Sequence, residues 1–138
     1  MKNIKYNMFI GRYQSPHKGH QTIFNEFLNK GLPILIAIRD VNPDPNNPLP
    51  AEAVKQIWET IYEGNDLVKV IIIPDIASVN YGRGVGYEVN EIKVDSVIAN
   101  ISATEIRKQI LSGEESWKDM VSEKAHIILA DLLKKYSV

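Results

Sequence analysis

The sequence predicts an α/β protein built on a doubly wound parallel sheet. Short apolar segments of strand type alternate with segments of helical periodicity, the strand-type segments are rich in β-branched residues, and Gly or Pro marks most of their ends. At 138 residues the chain has the length of one domain, so we expect a single domain over residues 1–138. In sheets of this kind ligands bind at the carboxyl ends of the strands.

The first thirty-eight residues predict a β-α-β unit. Residues 5–11 alternate apolar side chains and end at Gly11, which indicates a short strand. Apolar residues then recur at helical spacing over 20–29, and Gly31 is suited to stop that helix. The apolar segment 32–38 predicts a second strand that is covered on both faces.

A second unit follows a segment rich in structure breakers. Residues 41–50 contain four prolines and three asparagines, so we expect a loop over the sheet edge and a candidate substrate loop. A helix is predicted from Pro50 to Gly64. The β-branched segment 68–74 predicts a third strand.

The remainder predicts a loop and two helices. Residues 77–95 contain three closely spaced glycines and an uncertain extended piece at 87–94. These glycines are spaced as in a flexible loop. They do not lie between a clear strand and a helix, as the glycines of a dinucleotide-binding fingerprint do. Helices are predicted over 103–112 and 122–136, the second with one apolar stripe.

Composition narrows the function classes. The 16 basic residues face 17 acidic ones, so we expect no nucleic-acid partner. The absence of cysteine excludes disulfides, thiolate metal sites and thiol nucleophiles. The apolar runs are too short to span a bilayer and the N-terminus lacks a secretory pattern, which predicts a cytoplasmic protein without membrane contact. The sequence does not determine the oligomeric state, and a homo-oligomer is one of the alternatives.

The first chemical motif lies between the first strand and the first helix. Residues 11–20 read Gly-Arg-Tyr-Gln-Ser-Pro-His-Lys-Gly-His. His17 and His20 stand at the predicted helix start, where unpaired backbone N–H groups and the helix dipole favour an anion, and Gly19 leaves room for a phosphate. An isolated His-x-x-His more often only caps a turn, but this position favours an anion site. As loop residues, the two histidines are expected to contribute little to the core.

The second motif is Ile-Ser-Ala-Thr-Glu-Ile-Arg at 101–107. Ser102 followed by Glu105 is a capping box, so a helix should begin directly after Ser102. Thr104 and Arg107 then share one helix face, where the hydroxyl and the guanidinium can reach one anion. Alone, this segment reads as a capped helix with a surface arginine. A second anion-favouring helix start in one α/β chain instead favours a phosphate ligand.

The two motifs resemble the signature motifs of a known enzyme superfamily. Residues 17–20 match the HxGH motif of a nucleotidyltransferase superfamily of cytidylyltransferases, adenylyltransferases and class I synthetase relatives, and 101–107 match its second signature, written ISSTxxR or SGTEIR. Within it the chain most resembles the archaeal-type nicotinamide mononucleotide adenylyltransferases. Their GRFQPFHxGH is similar to residues 11–20, and their NPFTxxER to Asn47-Pro48-Leu49-Pro50-Ala51-Glu52. The end of the chain, at 113–117 and Val121, is also similar to theirs.

The chain departs from that subfamily at two places. Val54 stands where an arginine usually follows the NPFT segment, so a cationic contact there is absent. Between Pro74 and Ile101 the chain is shorter by a strand and a helix, and Arg83, in the glycine-rich segment that stands there, is a hypothetical replacement for the lost charge.

The resemblance implies an enzyme that transfers AMP or CMP from ATP or CTP to a small phosphorylated acceptor and releases pyrophosphate, with nicotinamide mononucleotide slightly favoured. It implies catalytic roles for His17, His20 and Arg107. We expect Mg²⁺ to be held mainly by the triphosphate, without a metal site of the protein's own. The expected nucleotide-binding residues are Gly11, Arg12, Tyr13, Gln14, Lys18, Gly19, Ser102 and Thr104, and the expected acceptor-binding residues are Asn47 and Arg83.

Two alternatives stay open. The compact length also resembles CTP-dependent alcohol-phosphate cytidylyltransferases. A non-catalytic nucleotide-binding or regulatory module would keep the fold and both phosphate motifs but lack acceptor chemistry. The intact histidines argue against such a module, whereas Val54 and the shortened middle argue for it.

Overall fold

The computed structural model of the chain describes residues 4–92 and 102–137. Parallel strands and helices alternate through the first half, and the second half of the described chain is helical. In chain order the elements are β1 (Asn7–Gly11), α1 (Lys18–Leu28), β2 (Ile34–Asp40), α2 (Ala51–Ile61), β3 (Val68–Pro74), α3 (Ala103–Ser112), the 3₁₀ helices η1 (Ser116–Met120) and η2 (Glu123–Ala125), and α4 (His126–Tyr136).

The three described strands form one parallel sheet in the order β1-β2-β3. Each crossover steps to the next strand in the same direction, and right-handed crossovers of this kind place α1 and α2 on one face of the sheet. This arrangement is one half of the doubly wound strand order. The α/β fold class with a parallel sheet is therefore confirmed.

One buried cluster joins the sheet to the four α-helices of the described residues. Its members on β2 are Ile34, Ile36 and Ile38, each fully buried. The helices add apolar side chains of similar burial, namely Phe24, Val54, Ile57, Trp58, Ile106, Leu129 and Leu133. Because α2 and α3 share this core, the helix that carries the second motif has a fixed position relative to the sheet.

The observed ends of the helices and strands agree with the predicted ends in some elements and differ in others. The predictions 68–74 and 103–112 agree with β3 and α3. Helix α1 begins at Lys18, earlier than predicted, because His17 caps it. Strand β2 begins at Ile34, later than predicted, because the N–H of Leu32 still bonds to the carbonyl of Phe27 at the end of α1. The final helix is preceded by 3₁₀ structure.

The two predicted loops carry no helix or strand in the described residues. Within 41–50 there is only an isolated bridge between Asp44 and Asn47. Residues 77–92 are irregular, with a turn at Arg83 and Gly84, and most of their apolar side chains are exposed. The rest of the uncertain extended piece lies outside the described residues. Among 4–92 and 102–137 no helix is long and apolar enough to cross a membrane.

Candidate active site

Two histidines form a reciprocal cap at the start of α1. His17 is the N-cap residue, and its Nδ1 accepts a hydrogen bond of 3.0 Å from the backbone N–H of Gly19. The Nδ1 of His20 accepts one of 3.2 Å from the backbone N–H of His17. Side-chain acceptors at these two positions satisfy N–H groups that a helix start leaves without partners. The sequence therefore uses imidazole rings where a Ser and a Glu would usually stand.

The cap determines which ring nitrogens remain available. Because both Nδ1 atoms accept hydrogen bonds, each neutral ring carries its proton on Nε2. The rings are stacked, with centroids 3.8 Å apart and planes 18° from parallel. The pair can thus present two Nε2–H donors side by side, an arrangement suited to phosphate oxygens.

Burial keeps both rings neutral. It lowers the pKa of His17 to about 4, and burial together with the neighbouring His17 lowers the pKa of His20 to about 3. The His20 ring meets the edges of Tyr13 and Trp58, with centroids 4.9 and 5.8 Å away. The expectation that these histidines contribute little to the core is therefore wrong. Removing a ring removes both a helix cap and aromatic packing.

The depressed pKa values predict a pH-dependent stability. An unfolded histidine takes up its proton near pH 6.5, whereas the folded rings do so only near pH 4 and pH 3, so stability present above pH 6.5 is lost as the pH falls towards 3. We expect a loss of several kcal/mol for the pair. Urea unfolding at several pH values measures it. The His17→Asn/His20→Gln double variant should lose most of this slope, and an unchanged slope would contradict it.

The second motif forms the start of α3 at the predicted residue, with the Ser102 half of the predicted capping box, whereas the Glu105 carboxylate accepts a hydrogen bond from Gln109 over 3.3 Å. The Ser102 hydroxyl accepts a hydrogen bond of 3.2 Å from the N–H of Glu105, and the helix begins at the next residue. Arg107 is 8% exposed, and its Nη2 donates to the Thr104 hydroxyl over 3.4 Å. Burial lowers the pKa of Arg107, and the nearby Asp44 carboxylate opposes that change. Arg107 is therefore a partly buried cation, not the surface arginine of an ordinary capped helix.

Arg107 also joins the two motifs. Its Nη1 donates a hydrogen bond to the backbone carbonyl of Gln14, which lies in the segment between β1 and α1. The segment that leads from β1 into α1 is thereby joined to the first turns of α3, although the two are more than eighty positions apart in sequence. Because that segment follows β1 directly, the contact lies near the carboxyl end of that strand.

The side chain of Gln14 fixes the 41–50 loop. Its Nε2 donates to the carbonyl of Leu49 over 2.6 Å, and its Oε1 accepts from the Leu49 N–H over 2.9 Å. Both residues are buried. The carboxamide, predicted as a nucleotide contact, is thus paired with the loop backbone. Gln14 connects the first motif, the loop and Arg107.

Replacing Gln14 should loosen this loop. In Gln14→Leu both hydrogen bonds are lost, which leaves the buried backbone groups of Leu49 without partners and costs about 1 to 3 kcal/mol. We expect faster hydrogen exchange at the Leu49 amide, measured by NMR, while the amides of β2 keep their protection. Asn29→Leu, at the exposed end of α1, is a matched control for the change of side chain. Unchanged exchange at Leu49 would show that the loop is held by other contacts.

A cavity of about 510 Å³ opens between the 41–50 loop and α3. The cations Arg107 and Lys108 line it from α3, and Asp44 lines it from the loop. Hydrogen bonds from the N–H groups of Asn47 and Asn46 lower the pKa of Asp44, and the charge of Arg12 adds to this effect. The remaining lining residues are Pro43, Pro45, Asn46, Pro48, Thr104, Leu111, Tyr136 and Ser137.

Within the first motif, the ring of Tyr13 packs closely against Gly11. A Cβ at Gly11 would lie 2.8 Å from the ring of Tyr13, so that ring can pack there only over a glycine. Tyr13 is buried, and burial raises its pKa above the usual range. Gly19, in the first turn of α1, is buried as well, whereas Arg12 and Lys18 are exposed.

The two predicted acceptor residues lie in different loops. Asn47 pairs with Asp44 in the loop, through a backbone bond of 3.0 Å. Arg83 is exposed in the 77–92 loop. Val54 is fully buried in the core, so its position on α2 could not present a charge to the crevice. Trp58 and Trp117 are buried, and the His126 ring packs 5.2 Å from that of Trp117.

Sequence reasoning missed one charged pair at the sheet edge. Arg39, near the end of β2, donates from Nε to the Asp75 carboxylate over 2.8 Å, and Nη2 lies 2.7 Å from the same oxygen. Nη2 also donates to the carbonyl of Ile76 over 3.2 Å. Opposite charges at the ends of two neighbouring predicted strands were the signal that could have revealed this pair.

Comparison with known proteins gives one relevant similarity. No protein-family model matches the chain. The chain is 27% identical over 160 aligned positions to a nicotinamide-nucleotide adenylyltransferase of Pyrobaculum arsenaticum, and the alignment covers 93% of this chain and 86% of that protein. This distant similarity supports nucleotidyltransferase activity of the adenylyltransferase type at the level of the family.

Proposed function

We propose that the protein is an enzyme that transfers a nucleoside monophosphate from ATP or CTP to a small phosphorylated acceptor, with ATP and nicotinamide mononucleotide favoured. The observation that carries the proposal is the contact between Arg107 and Gln14, which joins the two anion-favouring helix starts. The similarity to an adenylyltransferase over most of both chains supports the same reaction class.

The proposed reaction is a direct displacement. An oxygen of the acceptor phosphate attacks the α-phosphorus of the triphosphate, the bond from that phosphorus to the bridging oxygen breaks, and pyrophosphate leaves. The protein positions the reactants and neutralises charge, and it supplies no covalent nucleophile. His17 and His20 donate their Nε2 protons in hydrogen bonds to oxygens of the triphosphate as charge develops on them.

The second motif holds the leaving group in this proposal. Arg107, Thr104 and the free N–H groups of α3 contact the β- and γ-phosphates, and Ser102 organises the helix start. Arg12 and Lys18 add positive charge beside the first motif. The backbone of Gly11, Tyr13 and Gly19 shapes the approach to the triphosphate, and Asn47 and Arg83 remain candidate acceptor contacts.

Mg²⁺ would neutralise the triphosphate in this reaction. In residues 4–92 and 102–137 no three side chains of metal-binding type lie together. In this proposal phosphate oxygens and water would hold the ion. The ion would supply charge neutralisation and a fixed conformation of the triphosphate. The protein's own part is to hold the phosphates from the two helix starts.

Pyrophosphate release tests the proposal. ATP and CTP are each combined with nicotinamide mononucleotide and with an alcohol phosphate, with the His17→Asn/His20→Gln double variant as the control for contaminating activity. We expect release with ATP and nicotinamide mononucleotide. Release only with CTP and the alcohol phosphate would instead support a cytidylyltransferase. Tight nucleotide binding without release for any pair would support a non-catalytic module and contradict the proposal.

A further inference from the structure

Two arginines end neighbouring strands at the ligand-binding edge of the sheet. Gly11 and Ile38 are partners in the register of β1 and β2, so Arg12 and Arg39 follow at matching positions. Two adjacent cations repel unless anions lie between them. Here the Asp75 carboxylate pairs with one edge of the Arg39 guanidinium. A further anion could bind between Arg12 and the other edge of that guanidinium.

The guanidinium of Arg39 is held from one side. Asp75 and the carbonyl of Ile76 together engage Nε and Nη2. In the described part of the chain Nη1 makes no hydrogen bond, and the side chain is 24% exposed. An exposed ion pair contributes little to stability. It can, however, fix the orientation of the guanidinium, so that its other edge is ready to bind a second oxyanion.

The charge of Arg12 reaches two carboxylates near this edge of the sheet. Burial alone would raise the pKa of Asp75, but the Arg39 guanidinium and the Ile76 N–H, with a contribution from Arg12, hold that pKa below its usual value. The charge of Arg12 also lowers the pKa of Asp44, which lines the cavity. Arg12 is therefore close enough to act both on the Arg39–Asp75 pair and on a wall of the cavity.

We infer that Arg39, together with Arg12, binds the phosphate monoester of the acceptor. The acceptor role rests on the proposed function. The acceptor phosphate, held at the ends of β1 and β2, would lie beside a triphosphate bound at the two helix starts, as the displacement requires. Arg39 then provides the charge that the buried Val54 cannot present. Asp75 positions Arg39 without contacting the ligand.

Calorimetric titration of the full chain tests the inference. The probes are nicotinamide mononucleotide, ribose 5-phosphate and glycerol 3-phosphate, with nicotinamide riboside as the analogue without phosphate and ATP as the nucleotide. In Arg39→Gln we expect affinity for the phosphate monoester that binds best to fall by about tenfold or more, while ATP affinity changes by less than about twofold. Asp75→Asn, which breaks the ion pair but keeps the guanidinium, is the matched control and should cost less than about threefold.

The outcomes separate a ligand site from a structural connection. If Arg39 only ties β2 to the segment after β3, Arg39→Gln and Asp75→Asn will lower the melting temperature alike and affect ATP and the monoester equally, which overturns the inference. Wild-type protein that binds none of the three monoesters, or binds the riboside equally well, also overturns it. Arg39-dependent monoester binding without pyrophosphate release in any assay would remove the proposed transferase function and leave the site standing.

Discussion

His17→Asn and His20→Gln should each lower kcat roughly a hundredfold or more while the protein stays folded. Asn is favoured at an N-cap and Gln at the third helical position, so each variant keeps the acceptor that closes the cap of α1. Each variant loses one Nε2–H donor. Loss of one pre-organised donor to developing charge typically costs about 3 to 4 kcal/mol in the barrier.

Alanine at these positions would confound two effects. It would remove the cap as well as the donor, at a cost of about 1 kcal/mol. The packing of the His20 ring against Tyr13 and Trp58 is lost in His20→Gln and in His20→Ala alike. The measurement is therefore kcat together with urea unfolding, for both the cap-preserving variants and the alanine variants. Wild-type turnover in His17→Asn and His20→Gln would exclude the histidines from the mechanism.

Arg107→Ala should weaken ATP binding by about ten- to a hundredfold and AMP binding far less, because the side chain is assigned to the outgoing phosphates. It should also lower stability by about 1 to 3 kcal/mol, since the buried carbonyl of Gln14 loses its donor. Arg107→Lys should also weaken ATP binding, because an ammonium group cannot donate to Gln14, Thr104 and a phosphate at once as the planar guanidinium can.

Lys108→Ala is the matched control for Arg107. Lys108 lines the same cavity and carries the same charge, but it is exposed and makes no contact with the first motif in the described structure. Titration with ATP and AMP should show a loss of about threefold or less for this variant. Equal losses for ATP and AMP in Arg107→Ala would mean that Arg107 supports the fold or the nucleoside, and its assignment to pyrophosphate would be wrong.

The sequence predicted those parts of the fold that local patterns determine. Strand β3 and helix α3 have clear boundaries in sequence, a β-branched run ending at Pro74 and a Ser102 cap followed by Gly113. The same patterns identified both helix starts of the candidate site. They could not show that His17 is buried or that His20 packs against Trp58, because Trp58 comes from another helix.

The connections within the site come from long-range contacts. Gln14 meets Leu49 across 35 positions, Arg39 meets Asp75 across 36, and Arg107 meets Gln14 across 93. Each joins segments that only the folded chain brings together. The opposite charges at the ends of two predicted strands were a signal for the pair of Arg39 and Asp75, whereas local patterns hold no record of the two contacts of Gln14, because an amide or a backbone carbonyl can pair with many different groups. Ile101 of the second motif lies outside the described residues.

The stoichiometry of the products tests the central proposal most directly. ATP and nicotinamide mononucleotide are incubated with the wild-type protein and Mg²⁺, and products are resolved by mass spectrometry with separate quantification of pyrophosphate and phosphate. We predict an acceptor heavier by one AMP residue, formed in amounts equal to the pyrophosphate released. Formation of ADP with phosphate, or of free AMP with no adenylylated acceptor, would contradict nucleotidyl transfer by this protein.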